Sequence, residues 1–268
     1  MKIATYNINS VKARAQNLFS WLKTYNPDIV LLQEIKCETE NFLYFECETL
    51  GYKAIALGQK SYNGVAILTK YDYIVTASNL PNFQEDPASR YIEVLIKNGD
   101  KKFYIASVYA PNGCSPDKNT EKEKLSYKLH WFDCLYAHLF NLKKNGLPII
   151  LGGDFNVMME NIDVYDPLCF KDSPLFIKSV QDKIIALKYL GFHDAFRLLS
   201  PKNEGYTFWD YTGNSFVTNS GLRIDYLFIT AYFAEQLKIC ESDKSLRMLE
   251  KPSDHTALVA LFEDNNGS

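Results

Sequence analysis

Eight polar residues stand where polarity is costly. Asn7, Glu34, Tyr109, Asp154, Asn156, Asp225, Asp254 and His255 each lie within or directly beside an apolar run. A buried carboxylate without a partner costs on the order of several kcal/mol, so each acid needs one. Glu34, Asp154, Asp225 and Asp254 have few basic mates nearby in sequence. That surplus of acid invites a divalent cation. Carboxylate and amide oxygens suit Mg2+ or Mn2+ rather than zinc. No serine or cysteine occupies a recognisable nucleophile elbow, so a covalent mechanism has no support.

Taken singly, each residue also has a plainer reading. Glu34 alone reads as a loop carboxylate, Asn7 as a turn residue and Tyr109 as core with a bonded hydroxyl. Asp225 follows Arg223 and could be its salt-bridge partner. Ser253-Asp254-His255 could merely precede the last strand.

The elements that must carry these residues are mostly strands. Ile149–Leu151 is apolar throughout and reads as a short strand buried on both faces. Gly152-Gly153 allows a sharp turn or close packing, and Asp154 and Asn156 follow at that strand's end, where open α/β sheets place ligands. Ile3–Ile8 and Asp28–Ile35 are further strands closed by polar residues. Between them Val11, Ala15, Leu18 and Leu22 predict a helix to about Tyr25, ended by Asn26-Pro27. Tyr52–Leu57, Gly64–Thr69 and Tyr73–Ala77 are shorter strands. Tyr91–Ile96 and Phe103–Tyr109 form a hairpin around Asn98-Gly99-Asp100.

A long helix follows, with a capping box at Thr120 and Glu123 and a stripe of Leu125, Leu129, Phe132, Leu135, Leu139 and Leu142. Asn161–Ser173 is irregular. Ile177, Val180, Ile184 and Leu187 mark another helix, closed by Gly191. Tyr206–Tyr211, Leu222–Thr230 and Ala257–Phe262 read as strands, and the last six residues should fray. No linker or repeat interrupts residues 1–268, so one α/β domain of two packed mixed sheets with helices outside is expected.

The 268 residues are 47% hydrophobic and 23% charged, ordinary values for a globular protein. A net charge of -3 excludes a chain that grips nucleic acid over its whole surface and leaves room only for a local basic patch. Six cysteines without a CxxC pair argue against zinc and for reduced thiols. The first residues run straight into a strand-like segment, with no signal-peptide pattern. No apolar run approaches the ~20 residues of a membrane span. A cytoplasmic protein making no membrane contact, and a monomer, is expected.

Five segments, in this order, carry a resemblance: Leu32-Gln33-Glu34-Ile35-Lys36, Tyr109-Ala110-Pro111-Asn112-Gly113, Gly153-Asp154-Phe155-Asn156, Gly221-Leu222-Arg223-Ile224-Asp225-Tyr226 and Ser253-Asp254-His255. Over Lys2 to about Phe262 the chain resembles the exodeoxyribonuclease III family of apurinic/apyrimidinic endonucleases, within the broader endonuclease/exonuclease/phosphatase group. Gly-Asp-x-Asn and Ser-Asp-His are common to the broader group; the other three segments are specific to the family. Ser10 and Lys12 depart from the family's usual Gly and Arg, and Leu222 is similar to bacterial members.

The resemblance implies a four-layer α/β sandwich and metal-dependent hydrolysis of a DNA phosphodiester. The cut would fall 5′ to an abasic site in double-stranded DNA, and 3′ blocking groups or nucleotides would also be removed. It implies Mg2+, with Mn2+ able to substitute, held mainly by Glu34, with Asn7 and Asp254 close by and Asp154, Asn156 and His255 completing the metal surroundings. Asp154 would orient or deprotonate the attacking water and Asn156 would help to place it. His255, held by Asp225, would face the phosphate as a cation, and Tyr109 would assist the phosphate or leaving group. Arg14, Lys36, Asn112 and Arg223, with Lys12 and Arg197, would contact DNA. Phe208, Leu222 and Ile224, with Trp209 beside them, would accept a flipped-out sugar lacking its base. Each of these could equally be solvated surface or core packing. Two rivals remain: a phosphodiesterase or phosphatase of the broader group acting on a phospholipid head group, inositol phosphate or RNA, and a nucleic-acid-binding module without catalysis.

Overall fold

Ile29, Val30, Leu31 and Leu32 are fully buried, as a strand in the middle of a covered sheet must be. The computed structural model describes residues 1–83 and 86–263. In chain order its strands are β1 (Lys2–Asn7), β2 (Ile29–Gln33), β3 (Lys53–Leu57), β4 (Val65–Thr69), β5 (Asp72–Ser78), β6 (Tyr91–Asn98), β7 (Lys101–Tyr109), β8 (Ile149–Asp154), β9 (Phe192–Asp194), β10 (Asp225–Thr230), β11 (Leu237–Asp243) and β12 (Ala257–Phe262). Its α-helices are α1 (Ala15–Tyr25), α2 (Tyr44–Thr49), α3 (Lys118–Leu142), α4 (Pro167–Phe170), α5 (Lys178–Tyr189), α6 (Ala195–Leu199) and α7 (Ala231–Ala234).

The strands form two six-stranded mixed sheets, ordered β11-β12-β1-β2-β4-β3 and β5-β6-β7-β8-β10-β9. Alternate residues from both sheets, including Leu31, Ile67, Val94, Ile105, Ile150 and Leu227, fill the space between them. The opposite face of the first sheet packs on α1 and α2 through Leu18, Trp21, Leu22 and Cys47. That of the second packs on α3 and α5 through Phe132, Leu135, Val180 and Ile184. Helix, sheet, sheet and helix make the four layers that the resemblance implies. Among the described residues no helix is long and apolar enough to cross a membrane.

The two sheets repeat one pattern, and this positions the site. In the first, β1 and β2 are parallel and β12 runs antiparallel to β1. In the second, β8 and β7 are parallel and β10 runs antiparallel to β8. The carboxyl ends of β1, β2, β7 and β8 and the beginnings of β10 and β12 therefore share one edge of the sandwich. Asn7, Glu34, Tyr109, Asp154, Asp225 and His255 sit at those ends. Gly152 lets the sheets approach beneath this edge: a Cβ there would come within 2.4 Å of Leu31 Cδ1 from the facing sheet. Just below, Gln33 Nε2 donates to Ser107 Oγ at 3.0 Å across the sheets.

Several expectations need correction. The first helix begins at Ala15; residues 11–14 form a turn. Asp117, not Thr120, caps the long helix, its carboxylate accepting from Thr120 N at 2.8 Å, because Asp117 is the last residue with extended backbone. Tyr206–Tyr211 is not a strand: Phe208 makes only isolated bridges to Leu222 and His255. Likewise the strand expected from Leu222 starts at Asp225, because Arg223 N bonds Asp163 O instead of a neighbouring strand. The expected fraying covers the last six residues: Glu263 is described, bonding Gln236 O through its backbone N–H, and residues 264–268 lie outside the described residues.

Candidate active site

The strand ends leave their regular geometry abruptly. Asn9, Ser10, Glu34, Lys36 and Asn156 all have positive φ, at 47°, 87°, 49°, 51° and 52°. Each such residue costs on the order of 1 kcal/mol, and their clustering at one sheet edge marks a place where geometry outweighs stability. Backbone bonds hold the turn after β2: Ile35 N donates to Gly64 O at 3.2 Å and Lys36 N to Asn63 O at 3.0 Å.

The side chains converge. Asn7 Nδ2 donates to Glu34 Oε1 and to Asp154 Oδ2, both at 2.9 Å. Lys36 Nζ lies 2.7 Å from Glu34 Oε2. His255 Nδ1 meets Asp225 Oδ2 at 2.8 Å, and its Nε2 faces Asp154 Oδ2 at 3.7 Å. Asp154 Oδ1 accepts from Asn156 N at 2.9 Å, and Asn156 Nδ2 donates to Ala110 O at 2.9 Å. Register explains the neighbourhood: Asp154 is paired with Tyr109 on one side and Asp225 on the other. Arg90 lies over the Tyr109 ring, 5.0 Å from its centroid, and donates to Tyr109 O.

The electrostatics follow from burial. Burial raises the Asp154 pKa, with Asp225 and Glu34 adding to the rise and His255 and the Asn7 hydrogen bond opposing it. Burial also works against the Glu34 carboxylate, but the hydrogen bonds from Asn7 and Lys36 and the Lys36 charge outweigh it, leaving the pKa lowered. For His255, burial disfavours the cation; Asp225, by charge and hydrogen bond, and then Asp154 and Asp254 reverse this and raise the pKa to about 10. The Tyr109 phenol is pushed well above its usual range by burial, then by Glu34 and Asp154, against Arg90.

These observations test the fit of a metal ion. Glu34, Asp154 and His255 each offer a ligand atom within 4.8 Å of the others. Glu34, Asp154 and Asp225 crowd three carboxylates together beside Lys36 and His255; burial raises the Asp154 pKa first, and the repulsion from Asp225 and Glu34 adds to the rise. A divalent cation bound by carboxylate oxygens relieves that repulsion, so the donor set fits.

In the metal-free protein Asp225 and Asp154 outweigh burial and favour a protonated His255, whose ring then supplies charge, while its deprotonated Nε2 remains one of the three possible ligand atoms. Two other residues are placed differently from the expectation. Asn7 turns its amide nitrogen to both carboxylates, while its oxygen accepts from Asn9 N at 3.1 Å. Asp254 stands outside the cluster, its Oδ1 accepting from Asn9 Nδ2 at 2.9 Å.

Of the residues expected at DNA, Asn112 and Lys12 are exposed beside the cluster. Lys36 and Arg14 are half-buried there, Lys36 also reaching Asn9 Oδ1 and Arg14 reaching Tyr211 Oη and Pro252 O. Arg223 is a correction. Its side chain is fully buried, with Nε on Asp163 Oδ1 and Nη1 on Asp194 Oδ2, both at 2.7 Å, so it cannot reach a nucleic acid. Arg197 also turns inward to Asp163. These ions lock the segment before β10 onto the 160–164 turn and the β9–α6 junction. Replacing Arg223 by methionine leaves two buried carboxylates short of a partner and is expected to cost about 3–5 kcal/mol in urea denaturation.

Phe208 is half-buried and packs edge-on against His255, with ring centroids 5.0 Å apart. Leu222 and Ile224 are 5% and 3% exposed, packed with Met158 and Val164, and Phe208 covers this apolar corner together with Phe170, Leu175 and Phe176. Trp209 is wholly core.

Sequence reasoning missed four contributors. Asp163, between Ile162 and Val164, and Asp194, between Phe192 and Ala195-Phe196, carried the same signal of polarity beside apolar residues. Arg247, in a 3-10 turn, holds Trp209 O and Ser253 O, next to Asp254-His255. Lys128 is fully buried on α3. Its signal was available: it falls three residues after Leu125 and four before Phe132, on the buried stripe. Burial pulls its pKa down to about 7, against Cys114 and Asp154. Yet its Nζ donates to three carbonyls, and only the charged form has three N–H groups.

Comparison with known proteins adds relatives of matching length. Residues 4–255 match the endonuclease/exonuclease/phosphatase family. Exodeoxyribonuclease III of Haemophilus influenzae is 29% identical, covering 98% of this chain and 100% of its own. An AP endonuclease from Archaeoglobus fulgidus superposes with a TM-score of 0.89 at 32% identity, over 98% of this chain and 100% of that one. The 3′ phosphatase NExo from Neisseria, solved bound to a product DNA hairpin, gives 0.90 at 31% identity over the same shares.

Proposed function

Because this chain belongs to the endonuclease/exonuclease/phosphatase family, we propose that it acts as a DNA repair nuclease of the exodeoxyribonuclease III type, cutting the phosphodiester 5′ to an abasic site in duplex DNA and clearing blocked 3′ ends. One observation carries the reading: Asn7, Glu34, Asp154 and the Asp225–His255 pair, scattered over the chain, meet within hydrogen-bonding reach at one sheet edge. The family is metal-dependent, and Mg2+ is the ion proposed here, with Mn2+ as a substitute. Glu34 and Asp154 would hold it, with the Asn156 amide beside them.

The chain's own groups divide the rest of the work. Asp154, whose burial makes its carboxylate a better base than a solvated one, takes a proton from water as the water oxygen bonds to phosphorus. The backbone N–H of Asn156 and the amide of Asn7 fix the Asp154 carboxylate in one orientation. The His255 imidazolium, held by Asp225, faces the charge that gathers on the phosphate oxygens. The P–O3′ bond breaks, and the departing oxygen ends protonated, with Tyr109 at hand as the donor. A bound divalent cation supplies further positive charge against the phosphate and the leaving oxygen.

For DNA grip we assign Lys12, Arg14, Lys36 and Asn112, and for the baseless sugar the corner formed by Phe208 above Leu222 and Ile224. A few phosphate contacts predict binding that weakens as salt rises. We assign the protein to the cytoplasm, as a monomer.

The test is a duplex carrying one abasic site, with Mg2+ and with EDTA in its place. Cleavage to a 3′-hydroxyl and a 5′-sugar phosphate, abolished by EDTA, is expected. Binding without cleavage would make the chain an inert module. Preferred turnover of an inositol phosphate or RNA would move it to another branch of the family.

A further inference from the structure

Resting on the nuclease reading above, we propose that Lys128 is a positioning residue whose ammonium clamps the backbone of Asn112, Asn156 and Pro174, so that the Asp154–Asn156 turn and the Tyr109–Gly113 loop face each other across the reacting phosphate. Lys128 Nζ donates to Asn112 O at 3.0 Å, Asn156 O at 2.6 Å and Pro174 O at 2.9 Å. Those carbonyls belong to three separate segments: the loop after β7, the turn after β8 and the approach to α5. None of the ion pairs among the described residues includes Lys128, although its side chain is fully buried. An apolar residue on this stripe of α3 would pack without the desolvation an ammonium suffers.

The clamp acts on a residue that is already constrained. Asn156 has a φ of 52°, a conformation that its neighbours must impose. Its side-chain Nδ2 is tied to Ala110 O and its backbone N–H to Asp154 Oδ1. Lys128 takes the remaining carbonyl and so sets the peptide plane that follows. The stem is enclosed too: a Cβ added at Gly113 would lie 3.1 Å from Lys128 Cδ and 3.1 Å from Pro174 Cβ. With the ammonium gone, three inward carbonyls lose their donor and the two loops can drift apart. A misplacement of about 1 Å can cost about 100-fold in rate without weakening binding.

Lys128→Met keeps the stem's bulk and donates nothing. Lys128→Arg keeps the charge, but a planar fork cannot serve three carbonyls gathered about one point. Two measurements are made on each. One is single-turnover cleavage of the abasic duplex, with the DNA Kd alongside. The other is the 1H–15N signal of the Asn156 side-chain amide in the metal-free protein. For Lys128→Met the rate is expected to fall about 100-fold while Kd moves by less than about threefold. The Asn156 signal should leave its wild-type position. Lys128→Arg should lose about tenfold and shift the same signal. If the variants melt earlier but keep the wild-type rate per folded molecule and an unmoved Asn156 signal, the clamp is merely structural and the proposal is overturned. If Lys128→Met does not fold, Lys128→Arg decides by the same two measurements. If the wild-type protein itself fails to cut the duplex, the nuclease reading falls, and the Asn156 signal still decides whether the clamp exists.

Discussion

Glu34→Ala is expected to lose cleavage on the order of 1,000-fold at ordinary Mg2+ and to regain part of it when Mg2+ is raised far above that level. Glu34 follows β2 in a left-handed conformation, with φ at 49°, and this aims its carboxylate back at Asn7 and Asp154. It is the carboxylate whose pKa is lowered, so it stays charged where Asp154 is pushed toward its neutral form. A cation entering the site meets Glu34 as the standing negative charge. Without it Asp154 remains as a weaker anchor, so high Mg2+ should rescue in part. Lys36, freed from its 2.7 Å contact, would add a repelling charge. Rate against Mg2+ concentration is the measurement; an unchanged Mg2+ midpoint in Glu34→Ala would remove Glu34 from the metal site.

His255→Gln is expected to slow cleavage by about 100- to 1,000-fold, the usual cost of losing a preorganised charge at a developing anion. Glutamine can keep one hydrogen bond to Asp225 but carries no positive charge and does not titrate. The pH dependence should change with it. The His255 pKa is raised to about 10 in the folded protein against about 6.5 for a free imidazole. The folded state therefore holds this proton more tightly than the unfolded chain does. The stability this gives is full below about pH 6.5 and is lost as pH rises through the folded value. Metal-free wild-type protein should thus lose more thermal stability between about pH 7 and pH 10 than His255→Gln does. Parallel Tm-against-pH curves for the two proteins, or full activity in His255→Gln, would refute the cationic role.

What could be read from the chain follows from how each signal is stored. Ile149–Leu151, Ile29–Leu32 and Ala257–Phe262 are continuous apolar runs, and such runs declare buried strands whatever lies around them. The acids and amides just past their ends are legible for the same reason, since a polar residue against an apolar run must be explained. The 206–211 segment misled because an aromatic-rich run does not by itself make a strand: Phe208 finds isolated bridges to Leu222 and His255, and its neighbours find none. Thr120 misled because two good caps lie three residues apart, and backbone geometry at Asp117 decided between them.

The amino-acid order by itself pointed to two packed sheets and to a set of oxygen ligands for a divalent cation, because buried polarity and apolar periodicity are local properties; the nuclease chemistry and the residue roles came from the resemblance that five motif segments carry. Only the tertiary structure decided how charge is shared among the site residues. That Arg223 faces inward to Asp163 and Asp194, that His255 stands between Asp225 and Asp154, and that Lys128 grips three loops at once all depend on segments far apart in sequence. A side chain's partner is set by which strand ends the sheets bring together, and no local pattern encodes that distance.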